Sequence, residues 1–466
     1  MEQRRNYSFL KLLLLPLLIL SVSCQKDDIL TEFEESQLTT PSTQTIPIVP
    51  QDIIYPTSIQ NHEWNNFFYD TKKEFIHNGG TSVAFFLCGY TYFDYEGDGD
   101  WDVFVGTEYV VDKSTQEQLP NTDRLVGVLI NNGIRNGVTQ WDWRTDIFNI
   151  QPKHGYRKIA TSDMDGDGDL DFVGFIAEDA DGERGTPILG GIDLFINEGG
   201  TFKYKSVHPL SEGMNNFMHG GALGDINGDG LIDIVSGTQT IKVWINRGNN
   251  EFSSYIEPTR YKTVNGHSGY PTGSFSTEVF DINGDGYNDL LVGSAKGNND
   301  NRYYDYYTDS DYAKHSEIFF GKPEYPYFNE NPDIELEPDY QFVGEDNWVL
   351  KTWTGNMDWG IGDVDNDGDY DFFIYLMRDC NPIIQTETGC NNYYISYYEN
   401  IDNKTFLPKT EEIFDTDEQF FGNVPLTYIK VWDIDNDGTK EIVLEASLDN
   451  FNVWKKINGK YKKIYR

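Results

Sequence analysis

Six stretches of this chain place a carboxylate or amide at the first, third, fifth and ninth positions of one nine-residue frame, Asp-x-[Asp/Asn/Glu]-x-Asp-Gly-x-x-[Asp/Glu]. They begin at Asp94, Asp163, Asp225, Asp281, Asp363 and Asp433, roughly 56 to 82 residues apart. Such a frame suits the holding of a hard cation. Calcium takes six to eight oxygen ligands at about 2.3 to 2.6 Å, and a loop serves it by alternating short carboxylate or amide side chains. The candidate ligands are Asp94, Glu96, Asp98 and Asp102 in the first loop, and Asp163, Asp165, Asp167 and Asp171 in the second. Asp225, Asn227, Asp229 and Asp233 form the third set, and Asp281, Asn283, Asp285 and Asp289 the fourth. Asp363, Asp365, Asp367 and Asp371, then Asp433, Asp435, Asp437 and Glu441, complete the series. Calcium is the expected cofactor, about one ion per loop. The sixth position is Gly99, Gly168, Gly230, Gly286, Gly368 or Gly438, free to take the positive φ that a sharp turn needs.

An EF-hand would continue to a glutamate at position 12 inside a helix. Here that position is Val105, Gly174, Ser236, Val292, Ile374 or Leu444, so the EF-hand reading fails. Each loop instead runs into a strand-like stretch such as DVFVG, DIVSG or DFFIY, and each is preceded by another, such as GYTYF, GALG or IKVW. The elements that must position the loops are therefore strand pairs. An acidic hairpin turn explains the Asp-Gly pairs, but not the carboxylate or amide recurring at positions 3 and 9. Third strands follow in LVGVLINNG, GIDLFINEGG, IKVWINRGNN, EIFFG, ISYYENIDN and FNVWKKING, with fourth segments such as TFKYKSV and KYKKI. A period of this size means a repeat architecture, and four short antiparallel strands per repeat predict an all-β fold of propeller blades.

With its loops in this strand context, the chain resembles the VCBS and FG-GAP repeat family, calcium-binding β-propellers related to the head of integrin α chains. The resemblance covers roughly residues 80 to 466. It implies one calcium-binding β-propeller of four-stranded antiparallel blades. The loops predict six blades, or seven if the segment from Ile53 to Gly80 forms a partial blade; that segment is expected to close the ring against the last blade.

The domain plan read from composition is a lipoprotein signal peptide over 1–23, a flexible tether over 24–52 and the propeller over 53–466. Arg4, Arg5 and Lys11 precede an apolar run from Leu12 to Leu20, too short to span a bilayer. Cys24 stands where a lipobox cysteine would be lipidated, although Ser21 stands where leucine is usual. The Gln25-Lys26-Asp27-Asp28 that follows resembles the export signal that carries lipoproteins of the Bacteroidota to the outer face of the outer membrane. The expected address is thus the cell surface, as an outer-membrane lipoprotein. A secreted protein with an ordinary signal peptide is the simpler alternative. In an exported protein Cys380 and Cys390 are expected to form a disulfide. Cys88 reads as a small buried hydrophobe.

A net charge of −40 argues against nucleic acid as a partner. No nucleophile elbow, zinc motif or phosphate loop is present, so no catalytic residue is assigned. His154, His219 and His267, like His77, lie shortly ahead of loops, and Trp353 and Trp359 hold a similar place before the fifth. At one mouth of a propeller channel they would suit a small polar ligand such as a sugar. The opposing reading has these rings bonding a neighbouring blade's backbone. Tyr303, Tyr304, Tyr306 and Tyr307 in the insertion after the fourth repeat offer amphipathic faces for binding, or else form a solvated loop. The function expected is a binding module for a glycan or a partner protein. Two alternatives stand beside it: a lyase-like polysaccharide enzyme on a propeller scaffold, and a structural component of an adhesion complex.

Overall fold

The computed structural model describes residues 73–464 except 78–80, 99–100, 116, 121–123, 180–187, 213–217, 219, 238–240, 259–273, 295–315, 337–353, 379–391, 416–419, 422–427, 435–436 and 448–449. All of these lie in the compact unit Pro47–Arg466. The described structure is built from six β-sheets, with a single helical turn at Thr410–Ile413.

Sheet 1 holds β1 (Lys73–His77), β2 (Thr81–Phe93), β3 (Asp102–Asp112), β4 (Leu125–Arg135) and β5 (Val138–Arg144). Sheet 2 is β6 (Tyr156–Ser162), β7 (Asp171–Asp179), β8 (Ile188–Asn197) and β9 (Phe202–Glu212). Sheet 3 is β10 (Gly220–Gly224), β11 (Asp233–Gly237), β12 (Ile241–Asn246) and β13 (Phe252–Ile256). Sheet 4 is β14 (Ser274–Phe280), β15 (Asp289–Ser294), β16 (Ser316–Phe319) and β17 (Ile334–Glu335). Sheet 5 is β18 (Thr354–Gly362), β19 (Asp371–Arg378), β20 (Asn392–Asn400) and β21 (Phe406–Pro408), with β22 (Phe420–Phe421) paired to β20. Sheet 6 is β23 (Tyr428–Trp432), β24 (Glu441–Ser447), β25 (Asn450–Ile457) and β26 (Lys460–Ile464). Apart from β22, strands consecutive in sequence within each sheet pair antiparallel, the meander that short turns favour. The N-terminal strand corrects one expectation. β1 pairs antiparallel with β2 and parallel with β5, so it joins sheet 1 and not the last sheet.

Six apolar clusters separate the sheets, and each is shared by two of them. Phe104 and Phe172 stack at 4.2 Å between sheets 1 and 2. Phe175 and Trp244 share a cluster between sheets 2 and 3, and Val243 and Phe319 one between sheets 3 and 4. Ile318 and Trp359 lie between sheets 4 and 5, and Phe373 and Trp454 between 5 and 6. The sixth cluster returns to the start: Tyr428 and Trp432 of sheet 6 meet Tyr90 and Tyr92 of sheet 1, ring to ring, at 5.8 and 5.9 Å. Both faces of a sheet are thus covered by its neighbours, which is why the second strands read as almost unbroken apolar runs.

The strands that lead into the loops pack on one another from sheet to sheet, β2 on β6, β6 on β10, β10 on β14, β14 on β18 and β18 on β23, and glycines let neighbouring sheets approach. A Cβ on Gly221 would lie 2.2 Å from the Phe175 ring. The Tyr156 ring fills the space over Gly106 and Gly174, where added Cβ atoms would lie 2.5 and 2.4 Å from it.

Candidate functional site

Every nine-residue loop joins two consecutive strands, β2 to β3 in sheet 1 and the first to the second in the other five sheets, and its ninth residue opens the strand that follows. This residue is buried in all six repeats: Asp102 is 2% exposed, and Asp171, Asp233, Asp289, Asp371 and Glu441 are 0%. Its first oxygen accepts the backbone N–H of the loop's second residue. The donors are Tyr95 at 2.7 Å, Met164 at 2.8 Å, Ile226 at 2.9 Å, Ile282 at 3.1 Å, Val364 at 3.2 Å and Ile434 at 2.9 Å. In five repeats the other oxygen accepts an N–H from the next strand of the sheet or just past it: Asn131, Asn197, Asn246, Gly321 or Asn400, at 2.7 to 2.9 Å. One short acid therefore ties the loop to the two strands that follow it. The sequence reading treated position 9 as a ligand alone; in the structure it is first an anchor, because a buried carboxylate needs N–H partners.

The rest of the loop is a ladder of Asx turns. Asp163 accepts N–H groups from Gly166 (2.7 Å), Asp167 (3.1 Å) and Gly168 (3.0 Å), and Asp225 repeats this with Gly228, Asp229 and Gly230. Position 5 accepts the N–H of position 7, as from Asp169 to Asp167 at 2.9 Å. The backbone turns twice through positive φ: at position 6, as in Gly168 (φ 96°), and at position 4, as in Gly166 (φ 80°) and Asn366 (φ 64°). Two features of the frame were thus overlooked in sequence although written there. Position 4 is Gly or Asn in every copy, and position 2 is Met164, Ile226, Ile282, Val364 or Ile434, with Tyr95 in the first. Those five apolar residues are buried in the inter-sheet clusters.

Among the described residues, two loops gather three carboxylates whose oxygens lie within 4.8 Å of one another: Asp163, Asp165 and Asp171, and Asp363, Asp365 and Asp367. In the fifth loop, Asp363 Oδ1 and Asp369 Oδ1 are buried with no hydrogen-bond partner among the described residues. Burial pushes the ninth-position acids up, helped by the loop's other acids and opposed by the N–H donors. Asp102 and Asp289 rise to about 8, and Asp171, Asp233 and Asp371 to about 7. Asp165 and Asp365 also rise, from burial and then from Asp167 and Asp367. Crowded carboxylate oxygens are the donor set that a hard cation fits. Asp435 lies outside the described residues.

Of the expected ligand-contacting residues, His154 and Trp359 lie among the described ones. His154 Nδ1 lies 2.7 Å from Asp193 Oδ2, and Asp193 also accepts the hydroxyls of Tyr156 (2.6 Å) and Tyr204 (3.1 Å). His154 is therefore held within sheet 2. Trp359 is corrected outright: only 3% exposed, it packs edge-on against Phe372 at 5.3 Å in the cluster between sheets 4 and 5. His219, His267, Trp353, Tyr303, Tyr304, Tyr306 and Tyr307 lie outside the described residues, as do Cys24, Cys380 and Cys390. The side chains of His77 and Cys88 do too.

Two groupings that spacing did not reveal occupy other places. On the first strands, Lys158 of sheet 2 donates to Glu278 of sheet 4 at 2.5 Å, reaching past sheet 3, whose first strand opens with Gly220 and Gly221. Asp358 of sheet 5 accepts the Ile429 N–H at 2.9 Å. Burial raises Asp358 to about 6, against the pull of Lys158 and Lys430. Tyr428 of sheet 6 donates to the Arg157 carbonyl of sheet 2. Lys158, Glu278, Asp358 and Lys430 are each less than a tenth exposed, and their charges balance.

The second grouping reaches solvent through Tyr325, while Tyr327 is buried and Tyr255 half-buried. Tyr255, Tyr325 and Tyr327 set their rings 5.4 to 6.3 Å apart, with Tyr325 51% and neighbouring Ile256 58% exposed. The Tyr325 hydroxyl is tied to the Ile256 carbonyl at 2.8 Å, and Arg247 donates to the Tyr255 hydroxyl at 2.8 Å.

Comparison with known proteins adds a local result. The FG-GAP-like repeat matches residues 225–292, from the first residue of the third loop into β15, so the match takes in the third and fourth loops. No curated protein sequence matches the chain. A solved structure described as a putative exo-beta-1,3-galactanase from Bifidobacterium bifidum s17 is similar at 11% identity, covering 66% of this chain and 90% of that one, with a TM-score of 0.30. A likeness at that score carries no argument about fold or activity. The chain thus contains an FG-GAP-like repeat within an all-β structure of repeated antiparallel sheets.

Proposed function

We propose that the six sheets are the blades of a six-bladed β-propeller, that its loops hold calcium, and that it serves as a binding module for a glycan. The cyclic order of the inter-sheet clusters, returning from sheet 6 to sheet 1, supports the ring. So does the Lys158–Glu278 pair, which joins two non-adjacent sheets as only residues facing a common axis can. The gathered acids of the second and fifth loops support the metal.

The observation that carries binding over catalysis is the contrast between the two polar groupings. The four charges on the first strands are buried and mutually neutralised, whereas general acid–base chemistry needs an acid and a base that meet the substrate. The Tyr325 ring is half-exposed with its hydroxyl anchored to the Ile256 carbonyl, and half-buried Tyr255 lies beside it with Arg247 over its ring. Flat amphipathic rings beside an arginine suit the apolar face and hydroxyls of a sugar. We also propose that the protein reaches the outer surface of the outer membrane through lipid on Cys24.

The test is a glycan array probed with the full chain and with Tyr325→Ala, in millimolar calcium and in EDTA. Discrete hits that need calcium and vanish in the variant are expected. Hits that persist in Tyr325→Ala would move the site elsewhere, and none at all would turn the reading toward a protein partner.

A further inference from the structure

Resting on the calcium reading of the loops, we infer that the sixth loop takes no calcium, because the ammonium of Lys455 stands in the cation's place. Lys455 Nζ lies 2.8 Å from Asp437 Oδ2 and 3.4 Å from Glu441 Oε1, the acids at positions 5 and 9 of that loop. Lys455 sits on β25, and since Ile442 pairs with Trp454, it stands opposite Glu441 across the strand pair. The same register places Ile130, Ile196, Ile245 and Phe320 opposite the ninth-position acids of the first four loops. In the fifth loop that place belongs to Glu399. Its charge is met at 2.6 Å by Lys409, a lysine on the outer acid and not among the loop's ligands. Only the sixth repeat presents a base at this place.

The substitution extends to the anchor. Position 9 is Asp in five loops and Glu in the sixth. The longer side chain keeps the Ile434 N–H on Oε2 while offering Oε1 to the ammonium. A tethered ammonium supplies one positive charge and a hydrogen bond to Asp437, and a calcium ion entering beside it would meet a like charge. Asp437 and Glu441 thus keep a positive charge beside them at any calcium concentration.

The experiment counts calcium bound per chain, by equilibrium dialysis with elemental analysis, on the EDTA-stripped and reloaded full chain and on Lys455→Met. The expected result is one more calcium in the variant than in the parent. In the converse variant, Ile196→Lys, the second loop acquires the lysine and one calcium is expected to be lost; it also serves if Lys455→Met does not fold. Equal, non-zero counts across parent and variants would overturn the inference and leave the calcium reading standing. No calcium in any of them overturns the calcium reading and the inference with it.

Discussion

The second and sixth loops share one nine-residue frame and one anchor, yet they neutralise their acids differently. In the second, Asp163, Asp165 and Asp171 crowd together, and nothing basic stands opposite Asp171, only Ile196. In the sixth, Lys455 lies between Asp437 and Glu441. The ninth-position acid nevertheless receives the same N–H from position 2 in both, Met164 in one and Ile434 in the other. The frame therefore does two separable jobs: it fixes the strand junction through position 9, and it offers the remaining oxygens to whatever cation is at hand.

The separation breaks most visibly at the anchor. Asp171→Ala strands two backbone N–H groups, those of Met164 and Asn197, at about 1–3 kcal/mol each. A loss of several kcal/mol is expected by chemical denaturation, with or without calcium. Asp167→Asn, on the exposed rim of the same loop, is expected to cost little in EDTA and to remove only the part of stability that calcium supplies. Equal losses from both variants in EDTA would merge the two jobs into one.

Removal of metal comes next. Each independent calcium site contributes about 1.4 kcal/mol at tenfold excess over its Kd, so EDTA is expected to lower the melting temperature by several degrees. The sixth repeat is expected to be indifferent: amide exchange of β24 should change less on chelation than that of β7.

The same comparison has a pH signature. In the metal-free protein Asp102, Asp171, Asp233, Asp289 and Asp371 have folded values of about 7 to 8 against an ordinary 3.8. Between those values the folded state binds more protons than the unfolded one, so stability in EDTA falls as pH rises from 5 to 8. Calcium requires the ionised form, so the stabilisation it brings grows over the same interval. Thermal melts at both ends, with and without calcium, check both slopes.

The smallest effect on stability is expected at the tyrosine platform. Tyr325→Ala, at a half-exposed position, should shift stability by about 0.5 kcal/mol or less while removing glycan binding.

Local spacing carried much of this structure in plain view. The strands beside each loop and the Asp or Glu opening each second strand follow from residues adjacent in sequence. Positions 2 and 4 were equally legible and were passed over, since buried Ile226 and the turn at Gly228 look unremarkable until the copies are stacked. The rest depends on contacts that no local pattern encodes. Lys158 and Glu278 are 120 residues apart, and Tyr325 reaches back 69 residues to Ile256. Trp359 was misread because nearness to a loop says nothing about which face of a strand a side chain takes, and its face is the apolar one. Lys455 lay between these cases: it becomes visible only when the register of β24 and β25 is counted.

The most direct measurement is an anomalous-difference map from crystals of the protein grown in calcium. The account predicts peaks in the loops that begin at Asp163 and Asp363, and none beside Asp437, where Lys455 should keep its two carboxylate partners. No peak in any loop, or one in the sixth with Lys455 turned away, would contradict it.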